Sequence, residues 1–311
     1  MRHLWLPLLA WASLARGDMP WSDSQIHGPP YAEILATMEG WVARHPGLLT
    51  QIEYGKSVLG RPLRILVAYR RDVPAAERPS LFMSGSTHGS EYLNLEDRLP
   101  ERLLSRARED SAIARFLATG GALVFVPIVN PDGYEIHSRT NANGVDLNRD
   151  WDLPSTGYTG FREVETRLLA HQLLELEKPP HSLRYRVTVD YHCCVGAVLH
   201  PWSHGTSRLP PEARARHEAV GKLAHEIFGV AHGTTAEILG YSPLGTSKDY
   251  YYLRHGALAF TYEGRPKIEK QALDKHLAWW EGIADLVLPA AHHPLLALEP
   301  VRKPGFPLLA D

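Results

Sequence analysis

A chain of 311 residues with 44% hydrophobic and 22% charged residues has the make-up of a soluble globular enzyme, long enough to bury one large α/β core or two modest ones. Its formal net charge of −2 gives no electrostatic preference for nucleic acid or an anionic membrane, and no nucleic-acid-binding pattern or internal repeat is visible. The two cysteines, Cys193 and Cys194, are adjacent and cannot staple distant parts of the fold; buried thiols are expected, with a strained vicinal disulfide as the alternative, and stability must come from the core.

In chain order, Arg2 and His3 precede an apolar stretch from Leu4 to Leu14, followed by small residues around Ala15. This pattern predicts a signal peptide over residues 1–17 and export to a secreted or periplasmic location. The stretch is too short to span a bilayer as a helix, and no later segment reads as a membrane span. An amphipathic helix is expected over Tyr31–His45, then strands at Arg64–Tyr69 and Ser80–Ser84, a helix over Leu95–Arg106 and a strand at Ala122–Val129. Leu153–Gly160 reads as a surface loop ahead of a helix over Phe161–Glu177. A strand at Tyr185–Tyr191 follows, then the loop Leu209–Pro211. Val220, Leu223, Ala224, Ile227 and Phe228 then recur at helical spacing. A strand at Ala257–Tyr262 and a helix over Lys270–Leu288 complete the series. The alternation predicts an α/β fold with a mixed, largely parallel central sheet; its strands are too apolar for a one-sided sheet, so helices should cover both faces. Residues 18–295 read as one catalytic domain and 296–311 as an irregular proline-rich tail.

Polar residues cluster just beyond the C-terminal ends of these strands. Ser80–Ser84 leads to His88-Gly89-Ser90-Glu91, Ala122–Val129 to Asn130-Pro131-Asp132-Gly133, Tyr185–Tyr191 to His192, and Ala257–Tyr262 to Glu263. In open α/β sheets that edge is where ligands bind, so separate strands would deliver these side chains to one crevice. His88, Glu91 and His192 form a His₂Glu set of the kind that leaves a fourth zinc position for water. The spacing His88-x-x-Glu91 is weak evidence by itself, and a histidine following a strand is often just a satisfied core residue.

Several motifs in one order decide between these readings. His88-Gly89-Ser90-Glu91, Asn130-Pro131-Asp132-Gly133-Tyr134, Gly144 to Trp151 and Thr261-Tyr262-Glu263 together resemble the zinc carboxypeptidases of the carboxypeptidase A-like family. The resemblance runs from Tyr31 to Leu288 and includes the turn Gly55 to Arg61. It implies a metallocarboxypeptidase with one Zn²⁺ per chain on His88, Glu91 and His192, and Asp146 accepting a hydrogen bond from a ligand histidine. Glu263 would be the general base and Arg139 the group that polarises the scissile carbonyl. Asn148 and Arg149 would clamp the terminal carboxylate of a peptide, and Tyr241, 22 residues before Glu263, would close over it. The family's specificity residue precedes an aspartate 14 residues ahead of the base, here Asp249, so Lys248 would form the pocket floor and favour acidic C-terminal residues.

Rival readings are a zinc amidohydrolase of N-acyl amino acids, a cell-wall peptide carboxypeptidase, and a binding module without activity; the Asn148-Arg149 pair and the full set of expected residues favour the peptidase. The expected partner is a peptide with a free C-terminus; a monomer is expected, although no residue pattern in the sequence fixes the oligomeric state.

Overall fold

Eight strands form the sheet, in the order β1-β2-β4-β3-β5-β8-β6-β7 among the described residues. They are β1 (Leu49–Lys56), β2 (Pro62–Tyr69), β3 (Arg78–Gly85), β4 (Ala122–Val126), β5 (Leu183–Cys193), β6 (Ala197–His200), β7 (Ala231–Thr234) and β8 (Leu258–Gly264). This computed structural model describes residues 27–205, 208–265 and 272–288. The signal peptide and tail expected at the two ends lie outside those residues. The four central strands β4, β3, β5 and β8 run parallel, while β1 and β2 turn antiparallel at one side and β6 pairs antiparallel with β8 at the other.

Alternation along the strands sends apolar side chains to both faces. Leu81, Met83, Leu123, Phe125, Val187 and Val189 meet one cluster, which α1 (Tyr31–Arg44), α2 (Leu99–Arg106), α3 (Ala112–Ala118) and α9 (Leu273–Val287) complete. Phe82, Val124, Val126 and Ala259 meet the other, with α5 (Val164–Leu176) and α8 (Ser247–His255). α6 (Pro211–Phe228) gives Val220 and Ala224 to the first cluster and Ala213 to the second. Two short helices, α4 (Pro131–Glu135) and α7 (Thr235–Leu239), lie in the connections. Helices on both faces of a mixed sheet match the expectation.

Element ends differ where a local group intervenes. The strand expected to reach Val129 stops at Val126, because Pro127 has no N–H for the ladder. The helix expected from Leu95 begins at Leu99, because the Glu96 carboxylate accepts from the Leu93 and Leu95 N–H groups and folds that segment into a turn. The helix expected from Phe161 begins at Val164, after Asp150 has accepted from the Arg162 and Glu163 N–H groups. The cysteines need a correction. Strand alternation ends at Cys193, and Cys193 and Cys194 are joined to each other in a vicinal disulfide instead of standing as separate thiols.

Candidate metal centre

The parallel strands β3, β5 and β8 end on one edge of the sheet, and the candidate residues gather there. β3 ends at Gly85, and Ser86 adopts a left-handed φ of 47° that breaks the strand and starts the turn carrying His88 and Glu91. Gly89 lies so close to a second turn that a Cβ would stand 2.1 Å from the Gly133 carbonyl carbon, which leaves glycine as the only residue that fits. Asn130 builds that second turn: its side-chain oxygen accepts from the Gly133 N–H at 2.9 Å, and its amide donates to the Thr87 carbonyl. Asp132 accepts from the Ser57 hydroxyl, the Leu59 N–H and Arg61, which fastens the Gly55–Arg61 turn to the same edge.

β5 delivers His192, and in the β5–β8 ladder His192 pairs directly with Glu263. Register partners on parallel neighbours share a face, so Glu263 stands beside the ligand set one strand spacing away. His88 Nδ1, His192 Nδ1 and the Glu91 carboxylate converge: His88 to Glu91 is 2.9 Å, His192 to Glu91 3.0 Å, and the two Nδ1 atoms are 3.1 Å apart. These three residues are buried and are the group that could hold a metal among the described residues. The outer ring nitrogens are both committed. His88 Nε2 lies 2.9 Å from Asp146 Oδ1, and His192 Nε2 2.9 Å from Asp190 Oδ2. Donation from Nε2–H to a carboxylate leaves the Nδ1 lone pair facing inward, the tautomer that a metal requires. Three electron-rich atoms at such separations repel unless a cation lies among them. Imidazole nitrogens with a carboxylate are suitable zinc donors, and the residues fit the ion.

Asp146, expected opposite a ligand histidine, also accepts from Arg139 at 2.9 and 3.0 Å and from the Asn148 N–H at 2.9 Å. Burial alone would raise its pKa, but the bond and charge of His88 and the guanidinium of Arg139 outweigh that and hold it far below the usual carboxylate range. Arg139 reaches Glu91 as well, at 3.2 Å, with its side chain half exposed. Asn148 accepts from the Ser247 N–H, and its amide nitrogen lies 3.4 Å from His192 Nε2. Arg149 donates to the Asn148 carbonyl and is partly open. Trp151 N–H donates to the Gly245 carbonyl, holding the loop after Tyr241 against this turn. Tyr241 itself is 48% exposed.

Glu263 keeps part of its surface open to the crevice. Loss of surrounding water, reinforced by the negative charge of Glu91, still pushes its pKa up to about 7. Lys248 is buried on the first turn of α8; its ammonium donates to the hydroxyls of Ser203 and Thr235. Burial lowers its pKa, while Asp249 and Glu263 act in the opposite direction. The Asp249 carboxylate is occupied by the Ser203 N–H and hydroxyl and by His204. All the sequence-predicted residues thus lie around one edge, with Tyr241 at its exposed rim. Sequence reasoning missed Asp190, Ser203 and Thr235. A lone carboxylate between Val189 and Tyr191, two residues before His192, was the available signal for Asp190.

Residues 34–276, most of the chain, match the family described as zinc carboxypeptidase. The chain belongs to this zinc carboxypeptidase family. Among its relatives, carboxypeptidase B of Helicoverpa zea is 25% identical over 261 residues, a match covering 71% of this chain and 58% of that protein. Carboxypeptidase A2 of Rattus norvegicus is 24% identical over 301 residues, covering 84% of this chain and 70% of the relative. The crystal structure of the carboxypeptidase A from Helicoverpa armigera has the same fold, with a TM-score of 0.66 at 22% identity, covering 89% of this chain and 76% of that one.

Proposed function

We propose that this member of the zinc carboxypeptidase family is an active, zinc-dependent carboxypeptidase that releases single residues from the C-termini of peptides and prefers acidic ones. The observation that carries the reading is the convergence of His88, Glu91 and His192, with Glu263 registered beside them and Arg149 next in the chain to Asn148. One zinc ion per chain is expected. Held there, it supplies Lewis acidity, polarising a carbonyl and making water acidic enough to lose a proton near neutral pH.

The Glu263 carboxylate takes a proton from the attacking water and later hands it to the leaving amine nitrogen, so water adds across the peptide bond and yields a carboxylate and a free amino acid. Arg139 donates to the carbonyl oxygen as negative charge grows on it. Arg149, a planar fork, pairs with the terminal carboxylate of the peptide, and Asn148 donates to it alongside. Tyr241, at the exposed rim, swings over the bound terminus and excludes water. Lys248, whose buried ammonium meets only hydroxyls among its hydrogen-bond partners, favours a side chain that brings a carboxylate. Residues 1–17 act as an export signal in this reading, which N-terminal sequencing of the exported protein tests.

The deciding experiment is mass spectrometry of a peptide digest. Loss of one residue at a time from the C-terminus is expected, with the matching C-terminal amide resistant. Arg149→Ala should narrow that difference through a loss of roughly 10²-fold in kcat/KM on the free acid, the scale of a charged, hydrogen-bonded contact. Internal cleavage, or equal turnover of the amide, would show that the clamp has been misread.

A further inference from the structure

Asp190 has no use in the reaction outlined above, and the surroundings of this buried carboxylate are unusual. It sits on β5 between Val189 and Tyr191, fully enclosed. A carboxylate removed from water is tolerated only when its lone pairs are filled. Here Oδ1 accepts from the Ser84 hydroxyl at 2.8 Å and the Thr87 hydroxyl at 3.0 Å. Oδ2 accepts from the Ser247 hydroxyl at 2.6 Å and from His192 Nε2 at 2.9 Å.

Three hydroxyls would suffice if the carboxylate only tied β3, β5 and α8 together. The fourth donor is a ligand ring. Residues two apart on a strand share a face, so Asp190 and His192 project to the same side, and the carboxylate meets the nitrogen opposite the one facing Glu91. Both histidines of the set are therefore backed by a carboxylate, His88 by Asp146 and His192 by Asp190. The two carboxylates differ in setting: Asp146 is shared with a half-exposed arginine, whereas Asp190 is held by hydroxyls alone besides its histidine.

We propose that Asp190 is a positioning residue for the metal: it fixes the tautomer and rotation of His192, and through Ser247 it ties the ligand set to the first turn of α8, where Lys248 lies. This rests on the zinc reading of the site. Asp190 touches no substrate, so its effect reaches the reaction only through His192 and α8.

The test compares wild type with Asp190→Asn, which keeps the shape and removes the charge. Both are stripped of metal, and zinc affinity is measured by competition with a chromophoric chelator. A 10- to 100-fold weaker affinity is expected in the variant, the usual cost of losing a carboxylate behind a ligand histidine. The visible absorption of the cobalt(II)-loaded variant should differ from that of the wild type, because the ring is free to rotate. A purely structural role predicts instead a lower melting temperature of the metal-free protein with zinc affinity within about twofold of wild type, and that result overturns the proposal. If Asp190→Asn does not fold, Ser84→Ala combined with Ser247→Ala leaves the carboxylate but strips two of the hydroxyls that aim it; at least a threefold weaker zinc affinity is then expected, and unchanged affinity overturns the idea. A wild type that binds no zinc would refute the zinc reading itself, an outcome separate from equal binding by the two proteins.

Discussion

Glu263 can act as a base only when ionised, while burial and the charge of Glu91 push its pKa up to about 7. A cation among His88, Glu91 and His192 would favour the carboxylate form, taking the place of the positive charge of His88 and His192 that lowers the pKa in the metal-free protein. kcat/KM should therefore fall as pH drops through the titration of Glu263. Glu263→Gln should lose about 10²–10⁴ in kcat with KM little changed, and it should lose this acid limb as well. Near-normal kcat in that variant would leave Glu263 a wall residue. Lys248 is testable at the same scale, with blocked dipeptides ending in Glu, Phe and Arg. The Glu substrate should show the highest kcat/KM, and Lys248→Asp should invert the order of Glu and Arg; a wild type that prefers Phe or Arg refutes the charge argument. His88, Glu91 and His192 stood out in the sequence as a candidate set because metal chemistry demands particular residue types and ligand sites lie at strand ends, whereas the part proposed for Glu263 came from the family resemblance. Asp190, Ser203 and Thr235 were not, because an aspartate or hydroxyl acquires its meaning only from the atoms that folding brings against it.

At the scale of elements, the central strands were legible from their continuous apolar runs, since both faces are covered. β1 was not. Its sequence, Leu49 to Lys56, alternates poorly and stays partly open at the sheet edge. β6 and β7 have four residues each and take their form from pairing with each other and of β6 with β8, a signal that no local window contains. α8 was missed because three consecutive tyrosines, Tyr250 to Tyr252, blur helical periodicity. One histidine ties α6 to the sheet. His217 on α6 donates from Nδ1 to the Ala213 carbonyl, and its Nε2 accepts from the Ala259 N–H of β8 at 3.2 Å. Accepting requires the neutral ring, and burial lowers its pKa from 6.5 to about 3. Between those values the unfolded chain binds more protons than the folded one, so stability rises with pH through this window and is lost as pH falls through it. Compared with His217→Gln, the metal-free wild type should show the steeper loss of unfolding free energy from about pH 6.5 to about pH 4. Parallel curves for the two proteins would show that the ring is not held neutral.

For the whole molecule, a metal held by His88, Glu91 and His192 would act on stability, because these residues come from the ends of two strands of one sheet and Glu263 from a third. β3 leads to His88 and Glu91, β5 carries His192, and β8 carries Glu263 in register with it. A ligand that binds only the folded state stabilises it by RT ln(1 + [L]/Kd), about 2.7 kcal/mol at a free concentration 100 times Kd. For a domain of this size each kcal/mol moves the melting temperature by roughly 2–4 °C. Zinc at that excess should therefore raise the melting temperature of the stripped protein by about 5–10 °C. Chelation should reverse the shift and abolish peptide hydrolysis, and added zinc should restore both together. His192→Ala removes one of the three ligands, so its melting curve should hardly respond to zinc at the same concentration. The pairing of the two readouts is what discriminates. A metal that merely props up the fold would move the melting curve while leaving a chelated but still folded enzyme active, and that combination would refute the catalytic reading. Full activity after exhaustive chelation with no change in melting would mean that His88, Glu91 and His192 hold no metal at all.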